Sequence, residues 1–354
     1  MNSIQNRINA FVKLGTFLSQ FSQNKIEKAA GIDHNDLFFE GFKHQMKIAQ
    51  EKNSWFTKDN ILFAVQSWSA ALTKNNLEAW TSKNEFPIKT PKTIAIVMAG
   101  NIPLVGFHDF LSVLISGHSV LIKQSSNDKH LLPFLAKYIE YIEESFKGNI
   151  TFTEQKLENF DAVIATGSDN TARYFEYYFK NKPNIIRKSR NSVAVITGKE
   201  TEEDLQKLAD DVFTYFGLGC RSVSKLYVPK DYDFNIFFNG MFVKKDVISN
   251  AKYANNYDYN KAVYLMSLFD LLENGFLMIK EDASYASPIA TIFYEYYDSE
   301  IDLKIKLHQD KEKIQCIVAK NFIENEVAFG ATQHPKLEDY ADGVNTLEFL
   351  SKLS

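Results

Sequence analysis

The sequence predicts an α/β protein built around a parallel, doubly wound sheet, and three observations lead to that prediction. Short β-branched runs alternate with stretches of helical period from about residue 93 to 198. Eight of the 15 glycines lie between residues 100 and 219, where strand-to-helix turns need special backbone geometry. At 354 residues and 45% hydrophobic composition, the chain is long enough to bury two packed cores.

The elements follow in chain order. Residues 1–90 carry apolar side chains at helical spacing, as in IQNRINAFVKLGTFLSQF, and predict an N-terminal helical layer of the first domain. Residues 91–196 alternate strand and helix: TIAIVMA, VGFHDFLSVLISG, SVLIKQS, DKHLLPFLAKYIEYIEESF, DAVIATG, SDNTARYFEYYFKN and SVAVITG. Such β-α-β units place ligands at the carboxyl ends of the strands, so residues 91–196 predict a dinucleotide-binding domain.

A second αβ domain is predicted over residues 197–325. It begins with the helical stretch KETEEDLQKLADDVFTYFG, followed by the turn GLGCRS and a strand. The remaining residues, 326–354, are turn-rich and then weakly helical. We expect this segment to return to the first domain or to an oligomer interface.

Composition excludes several classes of function. With 40 Lys and Arg against 44 Asp and Glu, the net charge is −4, so we expect no nucleic-acid partner. The two cysteines lie 96 residues apart without a CxxC or Cys/His cluster, which argues against disulfides and metal. We find no signal-like N-terminus and no run long enough for a membrane span, and expect a cytoplasmic protein.

Cys220 is the candidate nucleophile. It follows two glycines in Phe-Gly-Leu-Gly-Cys-Arg-Ser, where Arg221 and local amides favour the thiolate. The alternative is a small buried apolar residue. Cys316, within the alternating run IQCIVAK, is predicted to lie in a core strand.

Two strand ends carry further candidates. Asn101, in Gly-Asn-Ile-Pro-Leu, offers an amide donor for an oxyanion, although it could equally cap the following helix. Gly167 and Ser168 follow another strand and begin a helix whose amides suit a phosphate. The segment lacks GxGxxG and is a weak signal alone.

The order of these motifs resembles the aldehyde dehydrogenase superfamily, and most closely its LuxC-type acyl-CoA reductase branch. The matching segments span about residues 93–228, and the tail FGATQHP and DYADG is similar to short bacterial members. The resemblance implies a Rossmann-type parallel-sheet cofactor domain and an αβ catalytic domain. It also implies that Cys220 is the nucleophile and Asn101 the oxyanion donor.

The resemblance places the cofactor on Lys123, for the adenosine ribose, and on Gly167 and Ser168, beside the pyrophosphate. Where many NAD-linked relatives have Lys-Pro-Ser-Glu, this chain has Lys123-Gln124-Ser125-Ser126. Loss of that carboxylate removes its repulsion of a 2′-phosphate, so we expect Ser125 and Ser126 to line a site that prefers NADPH.

A second departure concerns water. Where hydrolytic members carry Glu-Leu-Gly-Gly, the register places Arg187-Lys188-Ser189-Arg190, and no Glu occurs from Tyr177 to Lys199. Without this general base, we expect the acyl group to leave the thioacyl enzyme by hydride reduction rather than by hydrolysis.

The resemblance therefore implies NADPH-dependent reduction of a fatty acyl-CoA to the aldehyde through a Cys220 thioester. His334 is a candidate for handling the proton of the leaving thiolate, whereas His108 and His118 are expected to be structural. An acyl-transferase or acyl-protein synthetase partner and a homo-oligomer follow by analogy. Two alternatives stay open: a dehydrogenase of short or amino-acid-derived semialdehydes, and an acyl-carrying module without reductase turnover.

Overall fold

The computed structural model describes residues 3–84, 86 and 90–353. These residues form two compact units. The first runs to Lys188 and resumes at Lys336, and the second comprises Ser189–Pro335.

The first unit begins with four helices, of which three start at a Ser or Thr that accepts a hydrogen bond from a backbone amide of the first turn. Helices pack through apolar faces onto a core rich in Phe. Their bounds are α1 (Ile4–Leu18), α2 (Asn35–Lys52), α3 (Lys58–Ala71) and α4 (Lys74–Thr81).

A five-stranded parallel sheet follows, in the order β3-β2-β1-β4-β5. Its central strands are buried and rich in Ile, Val and Ala, as expected of a parallel sheet covered on both faces. The strands are β1 (Thr93–Val97), β2 (Ser119–Lys123), β3 (Ile150–Phe152), β4 (Ala162–Thr166) and β5 (Asn184–Arg187). The helices between them are α5 (Phe107–Ile115), α6 (Leu131–Ile142) and α7 (Asp169–Phe179). The strand order reverses between β1 and β4, which is where ligands bind in doubly wound sheets.

The second unit holds a six-stranded sheet in the order β11-β6-β7-β10-β9-β8, parallel except for β8 against β9. Its strands are β6 (Asn191–Val195), β7 (Val223–Pro229), β8 (Leu272–Glu273), β9 (Met278–Glu281), β10 (Thr291–Tyr297) and β11 (Ile314–Val318). Its helices are α8 (Glu202–Phe213), α9 (Phe234–Met241), α10 (Ala251–Met266) and α11 (Glu300–Gln309). The two sheets confirm the predicted α/β class.

One strand differs from the sequence expectation. Alternation of strands and helices assigns SVAVITG to the first sheet, but β6 pairs with β7 and β11 in the second. A buried parallel strand has the same apolar pattern in either sheet, so the pattern does not say which sheet it joins.

Of the predicted C-terminal segment, residues 326–335 belong to the second unit, whereas the chain from Lys336 onward belongs to the first unit and contains α12 (Thr346–Ser351). The indole N–H of Trp80 donates to the Tyr340 hydroxyl over 2.8 Å. The His118 ring bridges the Lys92 amide, 3.2 Å from Nδ1, and the Leu350 carbonyl, 3.1 Å from Nε2.

Candidate active site

Cys220 lies in a tight turn between the 3₁₀ segment Thr214–Gly217 and β7. The Ser222 amide donates to the Gly219 carbonyl over 3.0 Å, so Cys220 occupies a central position of the turn. Its carbonyl accepts a hydrogen bond from Ser192 Oγ over 2.9 Å. Cys220 is exposed, which excludes the alternative of a small buried core residue. Cys316 lies in β11 and is only 5% exposed.

The chain enters this turn through a left-handed backbone. Tyr215, Phe216 and Gly217 have φ values of 56°, 58° and 74°. For the two aromatic residues such a conformation costs about 1–3 kcal/mol each. Strain of this kind concentrates at functional sites, where surrounding packing maintains it. The backbone before Cys220 is therefore held in a shape that these residues would not adopt alone.

Asp211, a buried carboxylate on α8, binds the segment Gly330–Thr332, which lies beside the turn that contains Cys220. Asp211 accepts from the Gly330 amide at 2.7 Å, the Thr332 amide at 2.9 Å and the Thr332 hydroxyl at 2.8 Å. Burial raises the pKa of Asp211, and these hydrogen bonds only partly offset it. The sequence analysis did not single out Asp211. The signal that could have identified it is an Asp within the apolar face of a predicted helix.

The turn that contains Cys220 also binds this segment and the residue that follows it, through Arg221 and Ser222. Arg221 Nε donates to the Thr332 carbonyl over 2.5 Å, and Gln333 Nε2 donates to Ser222 Oγ over 3.4 Å. His334, which is exposed, follows directly. The structure thus ties the chain just before His334 to the residues on the C-terminal side of Cys220.

A cavity of about 250 Å³, lined by apolar side chains together with Ser224, Ser287 and Thr291, lies beside this turn within the second unit. Leu218 and Val223, on either side of Cys220 in the chain, both line it. The other apolar side chains are those of Val212, Phe213, Phe216, Tyr253, Leu277, Pro288, Ile289, Ala290 and Ile292.

Asn101 belongs to the turn that follows β1 in the first unit. Helix α5 begins six residues later with Gly106 as its cap, so Asn101 does not cap it. A Cβ on Gly100 would lie 2.5 Å from Ser125 Cβ. The Asn101 turn is therefore in direct contact with the loop after β2.

Three of the residues expected to bind a cofactor lie at the end of β2 and in that loop. Lys123 ends β2 and donates to the Gln155 carbonyl over 3.2 Å. Ser125 Oγ accepts from the Asn127 amide over 3.3 Å, and Ser126 is exposed. All three lie at or beyond the carboxyl end of β2, beside the strand-order reversal.

Gly167 and Ser168 lie at the carboxyl end of β4, on the other side of β1. Ser168 caps α7 by accepting from the Thr171 amide over 3.4 Å. A Cβ on Gly167 would come within 3.0 Å of Thr171 Cβ, so glycine lets the chain pass close to the first helical turn. A helix N-terminus with an exposed hydroxyl and a glycine is a site that fits a pyrophosphate.

Arg187, which the sequence comparison expects at the position of the hydrolytic general base, lies at the end of β5 and is buried. Its Nη1 contacts Asp109 Oδ2 at 2.5 Å, and its Nη2 donates to Thr346 Oγ1 over 3.1 Å. Both charged side chains are less than a tenth exposed. The position therefore holds a buried ion pair that joins β5, α5 and α12.

His108 and His118 have structural surroundings. His108 Nε2 lies 2.9 Å from the Leu337 carbonyl, and the ring packs against Trp80 and Tyr340. Burial lowers the pKa of both histidines and favours their neutral form.

The candidate residues divide between the two units. Those of the first unit are Asn101, Lys123, Ser125, Ser126, Gly167 and Ser168, and those of the second are Cys220 and His334. Among the described residues, no group of three or more His, Cys, Asp or Glu side chains is arranged to hold a metal. Over the same residues, no helix is both long and apolar enough to cross a membrane.

Comparison with known proteins identifies the family. A profile of the family described as acyl-CoA reductase (LuxC) matches residues 17–236. A long-chain acyl-protein thioester reductase of Aliivibrio fischeri is 22% identical over 270 residues, which cover 69% of this chain and 55% of that protein. The chain thus matches little more than half the length of this relative.

Solved aldehyde dehydrogenases share the fold. Aldehyde dehydrogenase 21 of Physcomitrella patens, in complex with succinate, has a TM-score of 0.68 at 12% identity, covering 99% of this chain and 84% of its own. A NAD-dependent benzaldehyde dehydrogenase of Corynebacterium glutamicum has a TM-score of 0.65 at 12% identity, covering 91% and 78%.

Proposed function

Because the chain belongs to the LuxC acyl-CoA reductase family, we propose that it reduces a long-chain fatty acyl-CoA to the fatty aldehyde with NADPH. The observation that carries the proposal is the exposed Cys220 in a turn entered through strained backbone. A nucleophile must be accessible, whereas a structural cysteine is usually buried. The name of the Aliivibrio fischeri relative supports a long-chain acyl thioester as the substrate class.

The first half-reaction transfers the acyl group to Cys220. The thiolate attacks the thioester carbonyl, a new carbon–sulfur bond forms, and the bond to the sulfur of coenzyme A breaks. By the resemblance to the family, we assign stabilisation of the oxyanion of the tetrahedral intermediate to the Cys220 backbone N–H and the Asn101 side-chain amide. The departing thiolate takes a proton, for which exposed His334 is our candidate donor.

The second half-reaction releases the acyl group from Cys220 as the aldehyde. Lys123, Ser125, Ser126, Gly167 and Ser168 would hold a nicotinamide dinucleotide, which would supply the hydride that reduces the thioacyl carbon. Hydride addition gives the alkoxide of the thiohemiacetal on Cys220; as its carbonyl re-forms, the carbon–sulfur bond breaks, the aldehyde leaves and Cys220 recovers its thiolate. Arg187 is a protonated guanidinium in an ion pair with Asp109, so it provides no general base for water.

We assign the cofactor to Lys123, Ser125 and Ser126 on the loop after β2, and to Gly167 and Ser168 at the start of α7. Position 126 holds Ser126 in place of a carboxylate, so this side chain does not repel the 2′-phosphate of NADPH. We expect a higher kcat/KM for NADPH than for NADH. Equal turnover with the two at equal, sub-saturating concentrations would contradict this assignment.

The cavity beside the Cys220 turn is our candidate site for part of the acyl chain, because most of the side chains that line it are apolar. Ile289→Trp would fill it, and we expect turnover of long acyl-CoA to fall while that of short acyl-CoA persists. Ile236→Trp, at an exposed position of α9, is the matched control. An equal loss at every chain length would place the acyl chain elsewhere.

The decisive experiment compares Cys220→Ala with Cys316→Ala. The protein is mixed with acyl-CoA, its mass is measured for an added acyl group, and NADPH is then supplied while absorbance at 340 nm is followed. We expect Cys220→Ala to lose both acylation and NADPH oxidation and Cys316→Ala to retain both. Persistence of both in Cys220→Ala would refute the proposed nucleophile.

The same experiment separates the alternatives. Acylation without NADPH consumption would indicate an acyl-carrying module. Oxidation of a semialdehyde without any reaction of acyl-CoA would indicate a dehydrogenase. Transfer from an acyl-protein but not from acyl-CoA would identify the donor named for the Aliivibrio fischeri relative.

A further inference from the structure

The loop after β2 and the turn after β1 are joined by one buried side chain, that of Asp128. Asp128 is 6% exposed, and its Oδ2 accepts a hydrogen bond from the Leu104 amide over 3.1 Å. Its Oδ1 is also buried and has no hydrogen-bond partner among the residues that the structure describes. A charged group so poor in partners is costly to bury, which indicates that its single contact matters.

Leu104 needs that contact. It is buried and has φ 58°, a left-handed conformation that persists only where the surroundings impose it. Its carbonyl accepts from the Phe107 amide at the start of α5 over 3.0 Å. With the amide bound by Asp128 and the carbonyl by Phe107, both peptide groups of Leu104 are fixed.

Asp128 is itself held firmly by its own loop. Its amide donates to the Ser125 carbonyl over 3.2 Å, and its carbonyl accepts from Gln124 Nε2 over 2.9 Å. Ser125 is also the residue against which Gly100 packs. The turn Gly100–Leu104 is therefore fastened to this loop at both of its ends.

We propose that Asp128 is the positioning residue of the oxyanion-stabilising turn: by binding the Leu104 amide, it sets the place of the Asn101 amide three residues earlier. This rests on the role of Asn101 in the proposed function. Displacement of a donor by about 1 Å can cost on the order of 10²-fold in rate, so a positioning residue can matter as much as the donor.

The test is a double-mutant cycle on the acylation step, measured without cofactor as the rate at which coenzyme A is released from acyl-CoA. We expect Asn101→Ala to slow acylation by about 10²–10³-fold, and Asp128→Ala by about 10²-fold with KM for acyl-CoA little changed. In the Asn101→Ala background, Asp128→Ala should add less than about 3-fold, because the two act through one group. Asp128→Asn, which keeps an acceptor for the Leu104 amide, should recover most of the rate.

Asp161→Ala is the matched control. Its Oδ2 accepts from the Thr93 amide over 2.8 Å, so it also holds the backbone around β1, but at the opposite end of the strand. We expect no loss of acylation rate. Asp128→Ala with full rate, or losses that multiply in the double variant, would overturn the positioning role. An unaffected Asn101→Ala would instead refute the proposed role of Asn101.

Discussion

Replacing Asp128 by Asn should change how the stability of the first unit depends on pH. Burial raises the pKa of Asp128 from 3.8 to about 6, and the hydrogen bond from Leu104 lowers it only in part. Between pH 3.8 and about pH 6, Asp128 keeps its proton in the folded protein but has released it in the unfolded chain. The stabilisation by that proton is thus complete below about pH 3.8 and is lost as the pH rises through about 6.

The size of the effect follows from the two pKa values. A difference of about two pH units corresponds to about 3 kcal/mol of unfolding free energy. About 2 kcal/mol of this falls between pH 4 and pH 7, where the carboxylate becomes charged in the folded protein. Asn cannot titrate, so the Asp128→Asn protein lacks this contribution.

Urea unfolding followed by tryptophan fluorescence is the assay. All three Trp residues, Trp55, Trp68 and Trp80, belong to the first unit, so the signal reports on the unit that contains Asp128. We expect the unfolding free energy of the wild type minus that of Asp128→Asn to be about 2 kcal/mol greater at pH 4 than at pH 7. A constant difference across this range would show that Asp128 does not titrate as its burial implies.

Three further predictions concern the buried contacts and the proton donor. Arg187→Met leaves the Asp109 carboxylate buried without its partner and should lower the unfolding free energy by about 3–5 kcal/mol. Adding Asp109→Leu should restore part of it, and no recovery in urea unfolding would argue against the ion pair. Asp211→Ala leaves the buried Thr332 amide without an acceptor and should cost about 1–3 kcal/mol, with slower acyl-CoA reduction as the second readout. His334→Ala should remove one limb of the pH–rate profile of kcat, and an unchanged profile would exclude His334 as the proton donor.

Individual strands, helices and turns could be predicted because each depends mainly on the residues within it. The β-branched run before Gly100 and the apolar spacing after it predict β1 and α5, since side-chain period reflects which face is buried. Cys220 could be singled out because glycines on its N-terminal side predict a turn. Its exposure could not, since a turn cysteine can face either solvent or core.

The α/β class, the strand-to-helix turns and the motif order that identifies the family follow from the amino-acid sequence alone. Tertiary structure alone decided that β6 joins the second sheet, that Arg187 meets Asp109, and that Asp128 holds Leu104. In the polar stretch QSSNDKH nothing distinguishes Asp128 from an exposed loop residue, and its partner is a backbone amide, which every residue except proline carries. Only the path of the chain decides which amide reaches it.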